Sequence, residues 1–276
     1  MILVAIVTAT LAAGIGSVWL AALFGLSVLG RFTQHLLSLA AGALLATAFM
    51  HLLPEAFESP VEPKTLLTTL LMGVLFFFLL DKAELWHHGH EHHHGPHGHP
   101  AHAHDPHAAG HHHHPAHSHG TRPAQAGAGA ILTGDSVHCF GDGILIASAF
   151  VADVRLGWVA ALSVLAHEVP HHMGDLIALR QSSGNDRRTA LLKVSLAGAV
   201  TTLGGLAGYF LVEQLRDYLP YFLAVASSSF IYVALADLIP QLQRRLSARE
   251  TLAQLAWLAI GMGMVTSVSA LMHGGH

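Results

Sequence analysis

The chain has 276 residues, of which 52% are hydrophobic and only 11% are charged, and its mean hydropathy is +0.49. This composition is too apolar for a soluble globular domain, and the formal net charge of −4 says little about a protein whose surface is mostly lipid-facing. We expect no nucleic-acid partner. A single cysteine excludes an intramolecular disulfide. The composition therefore predicts an all-α polytopic membrane protein that has the lipid bilayer as a partner.

Eight apolar segments are close to the ~20 residues that a helix needs to cross a bilayer. They comprise residues 3–25, 35–55, 64–82, 127–150, 157–179, 191–212, 219–240 and 251–272. We expect the first to be a true span and not a cleaved signal peptide, because no basic residues precede it and no convincing cleavage site follows. The predicted organisation is residues 1–86 with spans one to three, a loop at 87–126, residues 127–180 with spans four and five, and residues 181–276 with spans six to eight.

The basic residues predict the orientation, since cytoplasmic loops are enriched in lysine and arginine. With both termini outside, ten of the thirteen Lys and Arg residues lie on the cytoplasmic side. We therefore expect a multi-pass protein of the cell membrane, and of the inner membrane in a bacterium, with the loop at 87–126 in the cytoplasm. Whether the chain forms a homodimer is left open.

This loop is rich in histidine. Residues 87–119 hold seventeen of the twenty-five histidines, interleaved with glycine, proline and alanine. Such a tract cannot build an apolar core, so we expect it to be disordered. Imidazole binds zinc, copper, iron and nickel, which favours a role in buffering or sensing metal, with a passive linker as the alternative.

The fourth segment carries three metal-type ligands at helical spacing. His138 and Asp142 are four residues apart and share a helix face, while Cys139 lies on the adjacent stripe. A mixed His, Cys and Asp face favours Zn²⁺, Fe²⁺ or Cd²⁺ over Mg²⁺ or Ca²⁺, which prefer oxygen ligands alone. For Cys139 the alternative is a small buried apolar residue without a ligand role.

The fifth segment carries a denser set of ligands. His167, Glu168 and His171 are predicted to face one metal ion, and His172 and Asp175 are auxiliary candidates. Ionisable groups are costly in hydrocarbon and usually mark an ion path. The fourth and fifth segments together therefore predict a metal site inside the membrane.

A short pattern recurs at the ends of the second and seventh segments. His51 lies three residues before Pro54, and Asp237 lies three residues before Pro240. By the predicted topology these two segments run in opposite directions, as inverted repeats do in transporters. Asp237 is an auxiliary candidate towards the exit.

Glu55 is an auxiliary candidate that attracts cations at the outer mouth, with a solvated loop as the simpler alternative.

Two motifs resemble those of a known family. HCFGDG at residues 138–143 and HEVPHHMGD at residues 167–175 are similar to HNFxDG and HExPHELGD of the ZIP family of divalent-metal transporters, in its branch with a histidine-rich loop. The resemblance implies eight spans in a 3+2+3 inverted-repeat arrangement and an elevator-like movement. It places metal ligands at His51, His138, Cys139, Asp142, His167, Glu168 and His171. Two departures stand out, because Cys139 replaces Asn and His172-Met173 replaces Glu-Leu.

We therefore expect a transporter and not an enzyme. Its first candidate substrate is Zn²⁺, moved into the cytoplasm, with Fe²⁺, Mn²⁺ and Cd²⁺ as further candidates and no catalytic cofactor. HEVPH at residues 167–171 also fits the HExxH motif, so an intramembrane zinc metalloprotease is the enzyme-class alternative. Pro170 inside that motif and the second ligand set at His138 and Asp142 argue against it. A six-span cation exporter and a membrane metal sensor are further alternatives.

Overall fold

The computed structural model describes residues 1–89, 128–182, 186–242 and 247–273. The first residues of the predicted histidine-rich loop, 87–89, are helical, and the rest of that loop lies outside the described residues. Within the described ranges the chain is helical and contains no strand. Their α-helices are α1 (Ile2–Leu11), α2 (Ser17–Thr47), α3 (Leu53–Phe57), α4 (Pro63–Gly89), α5 (Ala128–Ala152), α6 (Val154–Ser182), α7 (Arg187–Gln214), α8 (Leu219–Tyr232), α9 (Ile239–Leu242) and α10 (Ala248–His273).

Seven helical stretches in the described ranges are, by length and composition, able to cross a membrane. They are Ile2–Leu23, Phe32–Phe57, Pro63–Lys82, Leu132–Ala152, Arg187–Gln214, Arg216–Leu242 and Ala248–Met272. The prediction of eight apolar spans is thus confirmed for seven. The predicted fifth span lies in α6, which is long enough but too polar, because His167, Glu168, His171 and His172 interrupt its apolar sequence. The predicted metal ligands are therefore the reason that α6 lacks the apolar composition of the other seven stretches.

The pattern shared by the second and seventh segments corresponds to one local structure. His51 lies in a π-helical segment, Ala48–Leu52, just before Pro54, and Asp237 lies in another, Val233–Leu238, just before Pro240. Proline cannot donate a backbone hydrogen bond, and its ring pushes away the carbonyl four residues earlier, which widens the preceding turn. Each proline therefore shifts a ligand-type residue out of regular helical register.

Close contact between α5 and α7 holds α5 in place. Gly143 lies against the backbone of Thr201 and Gly205, and Gly204 lies against the backbone of Phe140. A Cβ at Gly143 would collide with the Thr201 carbonyl oxygen, so only glycine permits this approach. With α7 behind it, α5 presents its opposite, polar face to α6.

The bundle encloses an apolar core, and two of its helices present an apolar exterior. The largest core cluster includes fully buried side chains from α1, α2, α5 and α8, among them Ile6, Leu44, Phe150 and Phe230. In contrast, α4 and α10 expose large apolar side chains along their length: Leu67, Leu71, Met72, Leu75, Phe76 and Leu79 of α4, and Leu252, Leu255, Ile260 and Leu271 of α10. An exposed apolar surface of this extent is suited to lipid.

Candidate metal centre

The facing stripes of α5 and α6 bring nine metal-type side chains together in three groups. In each group, one ligand atom from every member lies within 4.8 Å of the others. The first group is His138, Asp142, His167 and Glu168; the second is Asp135, Cys139, Glu168 and His172; the third is Asp135, His171 and Asp175. The α5 members are three, four and seven residues from Asp135, which places them on one helix face.

The first group presents two imidazole nitrogens and two carboxylates to one point. Nε2 of His167 lies 3.1 Å from Oδ2 of Asp142, and Nε2 of His138 lies 3.4 Å from both Oε1 of Glu168 and Nε2 of His167. Ligand atoms at ~2.0–2.2 Å from a tetrahedral ion lie ~3.4 Å from one another, so these separations suit a bound ion. Three of the four residues are buried, and only His138 is partly exposed.

The orientation of His167 is set by its own helix. Its Nδ1 lies 3.2 Å from the carbonyl oxygen of Ser163 and donates to it in the neutral ring. The lone pair of Nε2 is then left to face Asp142 and Glu168. The hydroxyl of Ser163 lies 2.6 Å from Oγ1 of Thr47, which connects this part of α6 to α2.

The second group is completely buried. Nε2 of His172 lies 3.0 Å from Oε2 of Glu168 and 3.5 Å from Oδ1 of Asp135, and Sγ of Cys139 lies 3.8 Å from the same nitrogen. Glu168 joins the first two groups, because its Oε1 faces His138 while its Oε2 faces His172. One carboxylate is therefore positioned to bridge two ions.

The third group is more open. Nδ1 of His171 lies 3.7 Å from Oδ1 of Asp135 and 3.8 Å from Oδ2 of Asp175, and the His171 side chain is 39% exposed. Asp135 belongs to both the second and the third group. The three groups thus form a row in which Glu168 links the first to the second and Asp135 links the second to the third.

A cavity of about 460 Å³ reaches this row from one end of the bundle. Its walls include His138, Asp142 and His167 of the first group and Asp135, His171 and Asp175 of the third, but not Cys139, Glu168 or His172. Further along are Asp81, Tyr232, Asp237 and Gln241. Asp81 lies towards the end of α4, Tyr232 ends α8, and Asp237 and Gln241 lie just before and within α9. The cavity therefore extends towards the end of the bundle where residues 90–127 connect α4 to α5.

Two hydrogen bonds hold carboxylates on the cavity wall. The Tyr232 hydroxyl donates to Oδ2 of Asp81 at 3.1 Å, and the Gln241 amide donates to Oδ1 of Asp237 at 2.9 Å. The wall between the metal-type groups and the bundle end therefore carries two carboxylates, Asp81 and Asp237, each held by a hydrogen bond.

The predicted ligands are distributed over the row. The first group joins four of them, His138, Asp142, His167 and Glu168; Cys139 falls in the second group with His172, and His171 in the third with Asp175. The structure brings neither His51 nor Glu55 into these groups, because both lie towards the opposite end of the bundle. Asp237 lines the cavity.

The sequence-based prediction omitted Asp135, which belongs to two of the groups. The signal was present, since Asp135 lies three residues before His138 and four before Cys139 on the same helical stripe. A ligand search that extended one turn further towards the start of α5 would have included it.

Comparison with known proteins bears on the identity of this centre. A family model described as "ZIP Zinc transporter" matches residues 1–269. Human "Zinc transporter ZIP4" is 28% identical over 283 residues, which cover 87% of this chain and 42% of that protein. Human "Zinc transporter ZIP13" is 28% identical over 265 residues, covering 83% of this chain and 68% of that protein.

Mouse "Zinc transporter ZIP4" is 33% identical over 142 residues, which are 51% of this chain and 21% of that protein. The chain thus spans less than half the length of the ZIP4 proteins that it matches. Neither the family model nor these relatives support the protease alternative. The match covers nearly the whole chain and confirms the predicted resemblance, so the chain belongs to the ZIP zinc transporter family.

Proposed function

We propose that this chain carries a divalent metal ion across the cell membrane and into the cytoplasm through the row of groups between α5 and α6. Zn²⁺ is the first candidate for this ion. The observation that carries the proposal is the position of Glu168. Its two carboxylate oxygens face two different ligand groups, deep in a helical bundle suited to a membrane.

Charge supports a cation at this position. Asp135, Asp142 and Glu168 are all buried, and each lies close to at least two histidines. Carboxylates buried side by side without compensating positive charge are strongly destabilising. Protonated imidazoles or bound divalent cations supply that charge, and the inward-facing nitrogens of His167 and His172 are oriented for cations.

We further propose two ions at the centre, bridged by Glu168. The first group offers two nitrogens and two carboxylates, a set that suits Zn²⁺, Fe²⁺ and Mn²⁺. The second group adds the sulfur of Cys139, which favours Zn²⁺ and Cd²⁺. His51 and Glu55 then serve an outer approach to the centre and not the centre itself.

The cavity and the basic residues support the proposed direction of transport. Lys82, Arg180, Arg187 and Arg249 lie at the end of the bundle to which the cavity extends, and Lys64, Arg155 and Arg216 lie at the other end. The positive-inside rule favours the cavity end as the cytoplasmic one. In this arrangement an ion in the first group is released past Asp237 to the side that carries the histidine-rich tract.

Glycine contacts support movement of one set of helices against another. In the first set, close glycine contacts join α1, α5 and α7, as between Gly205 and Thr10 and between Gly143 and Thr201. In the second set they join the later part of α2 to α10, as at Gly42, and α4 to α8, as at Gly73. The close glycine contacts in the described residues stay within a set.

Between the two sets, α2 contacts α6 through small apolar side chains, including Ala43 and Ala46 of α2 and Val159 of α6. The Thr47–Ser163 hydrogen bond also joins the two helices. We propose that α1, α5, α6 and α7 carry the ion as an elevator against a scaffold of the later α2, α4, α8 and α10. In this proposal α6, the predicted fifth span, also crosses the membrane. It brings the number of spans to eight, in the 3+2+3 arrangement.

Reconstitution tests the proposed function. The purified full-length chain is placed in liposomes that contain a trapped zinc indicator, and Zn²⁺ is added outside. We expect saturable zinc uptake that exceeds uptake by protein-free liposomes, with competition by Cd²⁺ and none by Mg²⁺. Uptake no faster than in protein-free liposomes would contradict the proposal.

A further inference from the structure

We propose that Asp135, His171 and Asp175 form a third divalent-metal position, which receives the ion that leaves the bridged pair and passes it to the cavity. The inference rests on the proposed transport function and extends it. Its structural basis is the third ligand group, whose members come from both α5 and α6 and line the cavity.

Unsatisfied atoms point to a missing ligand at this position. Oδ2 of Asp135, Nδ1 of His171 and Oδ2 of Asp175 are buried atoms without a hydrogen-bond partner. The Asp135 side chain is only 1% exposed, so bulk solvent has little access to its charge. Leaving such groups unpaired is costly, and a cation held between the three side chains compensates for the charge of both carboxylates and engages the His171 nitrogen.

The geometry fits an ion with open coordination positions. His171 lies 3.7 Å and 3.8 Å from the two carboxylates, slightly wider than the ~3.4 Å expected between ligands of a closed tetrahedral site. Three protein ligands leave at least one position for water from the cavity. An ion held in this way exchanges more readily than one enclosed by four protein ligands.

Asp135 makes transfer between positions direct. Its Oδ1 lies 3.5 Å from Nε2 of His172 in the second group and 3.7 Å from Nδ1 of His171 in the third. An ion that moves from one group to the other therefore keeps Asp135 as a ligand throughout. Because two divalent ions this close repel each other, an ion arriving at the pair favours loss of the ion at the third position.

Anomalous diffraction from crystals of the full-length protein soaked in Cd²⁺ locates each bound ion separately. We expect one peak in each of the three groups in the wild type. Asp175→Asn removes only the third peak, whereas Asp135→Asn weakens both the second and the third. Asp217→Asn makes the same chemical change at an exposed position outside the cavity and leaves all three peaks unchanged.

The wild-type map is decisive even if a variant does not fold. Absence of a peak between Asp135, His171 and Asp175, at a Cd²⁺ concentration that fills the other two groups, would overturn the third position. Persistence of that peak in Asp175→Asn would overturn the proposed ligand set. Peaks at the first and second groups test the proposed transport site separately, so the two proposals can fail independently.

Discussion

The hydroxyl of Ser17, at the start of α2, lies 2.8 Å from Nδ1 of His172 in α6. The same hydroxyl lies 2.6 Å from the carbonyl oxygen of Gly14 and donates to it, so it accepts the hydrogen of Nδ1. This bond leaves the lone pair of Nε2 facing Glu168 and Asp135. A residue far from α5 and α6 in sequence thus sets the orientation of a buried ligand.

We predict that Ser17→Ala weakens metal binding in the second group by ~10–100-fold, as loss of an outer hydrogen bond to a metal-bound histidine does in other sites. The readout is the sulfur-to-metal charge-transfer absorbance of Co²⁺ or Cd²⁺. Because Cys139 is the sole cysteine of the chain, this signal reports on the second group and is blind to the histidine-rich tract. Ser136→Ala is the matched control, since among the described residues Ser136 hydrogen-bonds within α5, to the carbonyl oxygen of Leu132. An unchanged titration for Ser17→Ala would show that the bond does not position His172.

Cys139→Asn should lower the preference for Cd²⁺ over Zn²⁺, because it removes the thiolate and leaves the other three ligands of the second group in place. The measurement is competition between the two ions during uptake into proteoliposomes, and the charge-transfer band should disappear at the same time. If the competition profile stays as in the wild type, Cys139 is a packing residue and not a ligand.

Gly143→Ala should destabilise the protein by ~1–3 kcal/mol, the usual cost of overpacking, because the new methyl group meets the Thr201 carbonyl at the α5–α7 contact. Gly141→Ala is the matched control, since among the described residues no atom outside the neighbouring turns of α5 lies within 4 Å of the added Cβ. The two variants are compared by the midpoints of their unfolding transitions in detergent. Equal midpoints would mean that α5 and α7 separate easily and that the close contact contributes little.

Deletion of residues 90–119 should leave zinc transport intact, because the three groups and the cavity are built from other residues. Low-affinity metal binding should fall. The loss should be larger at pH 7 than at pH 5, where free imidazoles, with a pKa of ~6.5, are protonated and do not bind metal. Isothermal titration at both pH values checks this. Complete loss of transport in a correctly inserted deletion protein would place the tract within the transport machinery.

The sequence was sufficient to predict most members of the three groups, but neither Asp135 nor the layering. The helical spacing of His138 with Asp142, and of His167 with His171, correctly placed polar stripes on α5 and α6. A stripe does not reveal how two helices are aligned against each other. Because α5 and α6 run antiparallel, each turn of α5 meets a different turn of α6, and the ligands separate into three groups instead of one.

His171 illustrates the difference. One turn beyond His167, it moves ~6 Å along α6 and reaches the level of Asp135 instead of that of Asp142. The Ser17–His172 and Tyr232–Asp81 hydrogen bonds were equally beyond prediction, since each joins residues more than 150 positions apart in the chain. In contrast, the seven apolar spans follow from local sequence and were predicted from it.

Zinc uptake by Glu168→Gln in proteoliposomes tests the central claim most directly. The substitution keeps the size of the side chain but removes the charge and the second carboxylate oxygen that allow it to bridge two ions. Glu62→Gln, at an exposed position between α3 and α4, is the matched control. We expect Glu62→Gln to transport zinc at the wild-type rate and Glu168→Gln to fall to the rate of protein-free liposomes. Near-normal uptake by a correctly inserted Glu168→Gln protein would contradict transport through the bridged centre.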